Sequence, residues 1–347
     1  MASSPQIVVL GAGSVGCFIG GAWAAAGLDV SFIGRERVAA DVAEHGITLT
    51  DFDGWHTHLP PGTVRFSTKP AALAKADIVL LTAKSTGTLA AAKQIAAHAR
   101  RKPTVINFQN GVSNAEMLKD ALPKRRVLQG MIPYNVVRIG PGRWHRATWG
   151  DLTAERDEVT EALAARIGDR PGRLVLSDDM TGVAWGKLLF NLNNAINALS
   201  GMTILEELSH RDFRRVMAAA IVEALELLDA AGIEPAKVGQ VPPRLLPHAI
   251  AAPDLIFRHL FLRIQKIDPR ARGSMADDFD AGRPTEIDYL NGEVVKLAEK
   301  LGRDAPVNQT IVELVKQREA GVEHLWTPRQ LYEHVLQGHR GAAGFSY

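Results

Sequence analysis

Cysteine is almost absent: Cys17 is the single one in 347 residues. One thiol excludes an internal disulfide framework and fits a reducing compartment, and its place inside the first helical pattern makes packing its expected role. An excess of charge of one sign is also missing. The formal net charge is +2, and the lysines and arginines are interleaved with acids, which excludes a general nucleic-acid surface. Any anionic partner is expected to be small and locally held. No apolar run approaches the ~20 residues of a membrane-spanning helix. The opening "MASSPQIVVL" has no basic segment ahead of a long apolar core, so neither a membrane anchor nor a secretory signal is expected, and the expected compartment is the cytoplasm. A metal-ligating cluster is lacking too, because the histidines are scattered. His56 and His58 stand close together only in a turn-rich hairpin pattern, which reads as surface.

What is present is an ordinary globular composition, 46% hydrophobic and 22% charged. A chain of this length is long for one core, so two domains are expected. The first half alternates short apolar runs ("QIVVL", "DVSFI", "ADIVLLTA", "PTVINF") with helical stretches such as "CFIGGAWAAAG" and "GTLAAAKQIAAHA". That alternation predicts βαβ units and a parallel sheet with helices on both faces. The segment "GPGRWHRATWG" predicts an antiparallel addition extending this sheet at its edge. Beyond Ser177 every long segment has the helical period. Gly232 and Gly302 are expected helix caps, and Pro306 suits a first turn. The predicted fold is therefore α/β, with an N-terminal Rossmann-type doubly wound sheet over 1–177, an all-helical substrate and catalytic domain over 178–337, and a loose tail over 338–347.

The first strand runs directly into "GAGSVG", residues Gly11, Ala12, Gly13, Ser14, Val15 and Gly16, at the mouth of the first helix. Glycines there permit a tight turn and close backbone approach, and a helix N-terminus offers N–H groups to a pyrophosphate. The end of the second strand discriminates between cofactors. An NAD site usually places an acid there for the ribose hydroxyls, whereas "SFIGRER" places Arg35, whose guanidinium can grip a 2′-phosphate. NADP(H) is the expected cofactor. Lys84, in "LLTAKST" just past a later strand, lies on the same cofactor edge, although a solvated loop lysine is the competing reading. Asn110 ends "VINFQNG" where nicotinamide and substrate meet in such sheets, and a plain Asn-Gly turn is its alternative.

In "AWGKLLFNLNNAIN" an apolar segment carries one lysine and several amides. As one helix it stacks Lys187, Asn191 and Asn194 on one side at i, i+4 and i+7. No carboxylate falls between Asp179 and Glu206, so the stripe is either a solvated face with a stray lysine or the wall of a site. A positioned ammonium beside a reduced cofactor can stabilise a developing alkoxide and transfer a proton to it. The second acid/base candidate lies in "GSMADDFDAGRPTEIDYLNG", where Ser274 and Glu286 flank a Gly/Pro turn ahead of a helix that Thr285 and Glu286 are expected to open. Taken alone, a carboxylate at a helix start can be only a dipole partner.

These segments resemble the ketopantoate reductase family from about Gln6 to Glu319. The carriers are "GAGSVG", "FIGR", "LLTAKS", "QNG", "WGKLLFN" and "GSMADDFDAGRPTEIDYLNG", the last two being the most specific. The resemblance implies NADPH-dependent reduction of ketopantoate to D-pantoate. It also implies Lys187 as proton donor, Glu286 as the acid that contacts the substrate hydroxyl, and Asn110 and Ser274 at the carboxylate end. Asn191 falls on the family's asparagine one turn after the lysine, and Arg35 and Lys84 fall on its basic cofactor positions. Two departures accompany the match. Ala195 stands where relatives commonly carry a second asparagine, with Asn193 and Asn194 just before it. The apolar stretch 236–272 is longer than expected, and could suit a different 2-oxo acid or form a homodimer surface. A non-catalytic NADP sensor would keep the glycine loop and Arg35 but would have no need of Lys187 together with Glu286.

Overall fold

The computed structural model describes residues 4–257, 259 and 272–337. The tail expected over 338–347 lies outside the described residues, as does most of the apolar end of 236–272. The chain divides into two compact units, Met1–Met180 and Thr181–Tyr347. Among the described residues no helix is long and apolar enough to cross a membrane.

In the first unit the strands are β1 (Gln6–Leu10), β2 (Asp29–Ile33), β3 (Ile47–Asp51), β4 (His56–Leu59), β5 (Arg65–Ser67), β6 (Ile78–Leu81), β7 (Thr104–Asn107), β8 (Val127–Met131), β9 (Val136–Gly140), β10 (Arg143–Arg146), β11 (Leu152–Glu155) and β12 (Leu174–Ser177). Eight of them form one sheet in the order β12-β11-β8-β7-β6-β1-β2-β5. The run from β8 to β5 is parallel throughout, and β11 joins β8 in the antiparallel sense. Central parallel strands are covered on both faces, which is why β1 and β6 read as unbroken apolar runs. Ile7 and Val9 pack with Phe18 and Trp23 on one face, and Val8 and Leu10 pack with Ile95 and Leu118 on the other. Cys17 belongs to the first of these clusters and is fully buried; burial pushes its thiol well above the usual range, so it packs and does not react.

The antiparallel hairpin expected from "GPGRWHRATWG" forms as β9 and β10, but it does not extend the main sheet. It joins β3 and β4 in a separate sheet of order β4-β3-β10-β9. Packing decides this, because Trp144 on β10 is 1% exposed and shares a core with Ile47, Leu49 and Phe18. The main sheet grows instead through β11 and β12. His56 and His58 are exposed on β4, and no metal-ligating group occurs among the described residues.

The second unit is helical. Its longest helix, Arg211–Ala231, buries Phe213, Val216, Ala220, Ile221, Ala224 and Leu228 along one stripe. It ends at Gly232 with φ 69°, Asn291–Leu301 ends at Gly302 with φ 64°, and Pro306 opens Pro306–Glu319, all three as the turn chemistry predicts. The lysine segment departs from its expected single helix. It is divided at Leu192 into Met180–Asn191 and Asn193–Ser200, although Leu192 keeps helical dihedrals (φ −57°, ψ −25°) and its N–H still bonds the Leu188 carbonyl at 3.0 Å.

Candidate active site

In the first unit the dinucleotide loop is built almost wholly from backbone. Gly11 has φ +94°, and a Cβ there would lie 2.4 Å from the Ala83 nitrogen, so only glycine fits between β1 and the chain leaving β6. Gly13 caps the helix Ser14–Ala25 with no side-chain bond to its first turn, and nothing lies closer than 3.9 Å to where its Cβ would be. The loop thus offers open space in front of a helix N-terminus, which suits a pyrophosphate. Its position is fixed by two bonds, from the Gly11 and Ala12 N–H groups to the Ile33 carbonyl at 3.0 and 2.9 Å. Those bonds bring the loop to the end of β2. There Gly34 passes the Ala12 carbonyl, and exposed Arg35 begins the helix Glu36–His45.

Lys84 and Asn110 follow β6 and β7, neighbouring parallel strands. A buried polar network that the sequence gave no sign of fixes their backbones. Gln109 donates from Nε2 to the Ala83 and Lys84 carbonyls at 3.1 and 3.0 Å. Ser85 Oγ donates to the Asn110 carbonyl at 2.9 Å, which the Asn114 amide also reaches. Thr88 Oγ1 lies 3.1 Å from Gln109 Oε1 and 2.7 Å from Asn114 Oδ1. Ser85, Thr88 and Asn114 are all 0% exposed. Such side chains at strand ends are expensive to bury unpaired, so together they hold the two loops in one conformation. Asn110 enters this network through its backbone carbonyl, and Gly111 beside it has φ +88°.

In the second unit Lys187 is half-buried on Met180–Asn191, among Trp185, Leu188 and Leu189. Gly186 just before it lets that helix run against the chain at Ala236, whose N–H bonds the Gly182 carbonyl at 2.8 Å. Loss of solvent around the Lys187 amine lowers its pKa from 10.5 to about 8, and the nearby Glu286 carboxylate opposes part of that shift. Residues 99 positions apart in the chain are therefore electrostatic neighbours.

Glu286 does not open a long helix. It leads a short 3₁₀ turn, Ile287–Tyr289, and the helix itself begins at Asn291. The dipole-partner reading of this carboxylate therefore loses its helix. Its segment is tied down on two sides: the Thr285 N–H donates to Glu319 at 2.7 Å, and the Arg283 guanidinium holds Asp278 at 3.0 and 3.1 Å. Glu286 is 6% exposed. A carboxylate buried this far is held by its surroundings, and a neighbouring ammonium is the partner that best offsets its lost hydration.

Asn191 is half-buried at the end of the lysine helix, and Asn194 is half-buried on the next. Asn194 reaches the start of Ser274–Asp280: a Cβ built on Gly273 would lie 3.6 Å from Asn194 Oδ1 and 3.1 Å from Asn197 Oδ1. Ser274 is exposed beside them. Ala195, by contrast, is 0% exposed and belongs to the core. The amide that comes near Gly273 at this turn of the helix, Asn194, is one residue earlier than the expected position.

The family description "Ketopantoate reductase PanE/ApbA" matches residues 7–157, and "Ketopantoate reductase PanE/ApbA C terminal" matches residues 179–319. A 2-dehydropantoate 2-reductase of Pyrococcus abyssi is 27% identical over 91% of this chain and 98% of its own, and one of Halobacterium salinarum is 26% identical over 90% and 98%. The crystal structure of a PanE/ApbA family ketopantoate reductase from Ralstonia eutropha is 27% identical, covers 92% of this chain and 100% of its own, and superposes with a TM-score of 0.77.

Proposed function

The chain belongs to the ketopantoate reductase family, and we propose that it reduces ketopantoate to D-pantoate with NADPH as hydride donor. The observation that carries this reading is the pairing of Lys187 with Glu286 in a place that lowers the amine to about 8. An ammonium with that pKa is still largely protonated at neutral pH, yet gives up its proton far more readily than a surface lysine.

NADPH, when bound, supplies the hydride. Gly11, Gly13 and the N–H groups at the start of Ser14–Ala25 hold the pyrophosphate. Arg35 grips the 2′-phosphate, Lys84 adds charge on the same edge, and Asn110 stands where the nicotinamide end is expected. Around the substrate, Ser274, Asn194 and Asn191 hydrogen-bond its carboxylate end, and Glu286 accepts from its hydroxyl. Lys187 donates to the carbonyl oxygen, stabilises the negative charge that builds there and transfers its proton. Glu286 keeps the amine oriented and raises its basicity, so that bulk solvent can return the proton after release.

The test is NADPH oxidation by the purified protein with ketopantoate, a panel of other 2-oxo acids, and NADH as control. Saturable turnover of ketopantoate with preference for NADPH supports the reading in full. Turnover of another 2-oxo acid alone keeps the chemistry of Lys187 and moves the substrate assignment. That second reading is favoured by the core position of Ala195, which removes an amide common among relatives. NADPH binding with no turnover of any 2-oxo acid would leave a dinucleotide-binding protein and refute the reductase.

A further inference from the structure

Glu207 is a buried carboxyl that the proposed reaction does not use. It lies on the helix Ile204–Ser209, which Thr203 and Glu206 start with a reciprocal capping box, and it is 0% exposed. Its Oε2 accepts from Asn193 Nδ2 at 2.9 Å, and the Asn197 amide also bears on it. Its other oxygen, Oε1, is buried without a partner, and so is Asn193 Oδ1 in the same pair of side chains. Two orphaned acceptors within one hydrogen-bonded pair of side chains are costly, and a proton on the carboxyl turns one of them into a donor. A carboxylic acid facing a primary amide closes a ring of two hydrogen bonds, N–H to one carboxyl oxygen and O–H back to the amide oxygen.

Burial raises the Glu207 pKa from 4.5 to about 8, outweighing the hydrogen bonds from Asn193 and Asn197 that lower it. Burial thus favours the neutral acid over the carboxylate. The same helix turn continues the chain of contacts. Asn197, 0% exposed, donates from Nδ2 to the Met202 carbonyl at 3.1 Å and accepts the Gly273 N–H on Oδ1 at 2.8 Å. Gly273 immediately precedes Ser274, and Asn194 lies between Asn193 and Asn197.

We propose that Glu207 is a positioning residue that acts as a neutral acid: it locks Asn193 and Asn197, and through the Gly273 N–H it fixes Ser274 and Asn194 where they receive the substrate carboxylate. This rests on the 2-oxo acid reading of the site. A neutral hydrogen-bonding group suits the task better than an anion, because a second unpaired negative charge behind an anion-binding wall would oppose the ligand.

The experiment compares Glu207→Gln with Glu207→Leu in the full chain, using steady-state kinetics with NADPH and the preferred 2-oxo acid, NADPH binding by titration, and hydrogen exchange over residues 272–280. Glutamine reproduces the acid's donor and acceptor without charge, so KM should stay within about 2-fold, whereas leucine should raise KM about 10-fold or more with kcat within about 3-fold. NADPH affinity should be unchanged in both, and the Gly273 amide should exchange faster only in the leucine variant. A glutamine variant as impaired as leucine would overturn the neutral-acid role, and an unaltered KM and Gly273 exchange in the leucine variant would overturn the positioning role. If leucine prevents folding, retention of KM and exchange by glutamine supports the proposal and their loss refutes it. If the wild-type protein turns over no 2-oxo acid, the reductase reading fails separately, and Gly273 exchange in the two variants still decides whether Glu207 holds this segment.

Discussion

Between Gly11 and Gly16 the first unit works with backbone: a positive φ, open space at Gly13 and the N–H groups of a helix start. Around Lys187 the second unit works with side chains that come from separate helices and turns, an amine and a carboxylate 99 positions apart and an amide wall set by Gly273. A backbone device leaves a local signature, because the residues that make it are consecutive. A side-chain device is assembled by packing, and its parts are meaningful only together. The two are therefore expected to fail differently, the first in cofactor affinity and the second in turnover and its pH dependence.

The largest separation should come from Lys187→Ala. Removing a general acid should lower kcat by ~10²- to 10⁴-fold, with NADPH affinity by titration nearly unchanged; undiminished turnover would sink the role given to this amine. Arg35→Glu tests the other side. Losing charge-assisted bonds to the 2′-phosphate should weaken NADPH by ~10- to 100-fold, corresponding to about 1.5–3 kcal/mol, while NADH binding changes little. Equal losses for both cofactors would remove the phosphate argument.

A subtler effect is expected from Glu286→Gln. Reduction needs the protonated amine, so its rate should fall as pH rises through about 8. The Glu286 charge holds that pKa up against burial, so its loss should move the inflection to lower pH. A profile that stays in place would separate the two residues. The smallest signal should appear in stability. A lysine whose folded pKa lies below its unfolded value destabilises the protein fully below about pH 8, and the cost is relieved as pH rises toward 10.5. Lys187→Met should accordingly raise Tm at pH 7 more than at pH 10, and an equal shift at both values would remove the electrostatic explanation.

The same contrast accounts for what could be read in advance. The parallel sheet followed from apolar runs at strand length, and the loop from "GAGSVG" between a strand and a helix. The caps at Gly232 and Gly302 were legible because a left-handed C-cap requires glycine. The second sheet was not, since a hairpin's partner is chosen by where Trp144 can be buried, and no local pattern encodes that. The break at Leu192 and the 3₁₀ turn after Glu286 were hidden for a related reason: helical periodicity persists across a short interruption. Gln109, Thr88 and Asn114 looked like ordinary polar residues, and only their burial shows that they brace the loops carrying Lys84 and Asn110. Glu207 was missed because a carboxylate in "ILEELS" reads as a solvated helix face.

The break at Leu192 divides labour along the chain. Lys187 and Asn191 belong to one helix, and Asn193, Asn194 and Asn197 belong to the next. On the reading proposed for these groups, the proton donor shares its helix with one contact to the acid, Asn191, while the other amides sit on the next helix, where they can vary without moving Lys187. A change of substrate is then reachable at Asn194 alone, with the braced Asn193 and Asn197 on either side of it kept.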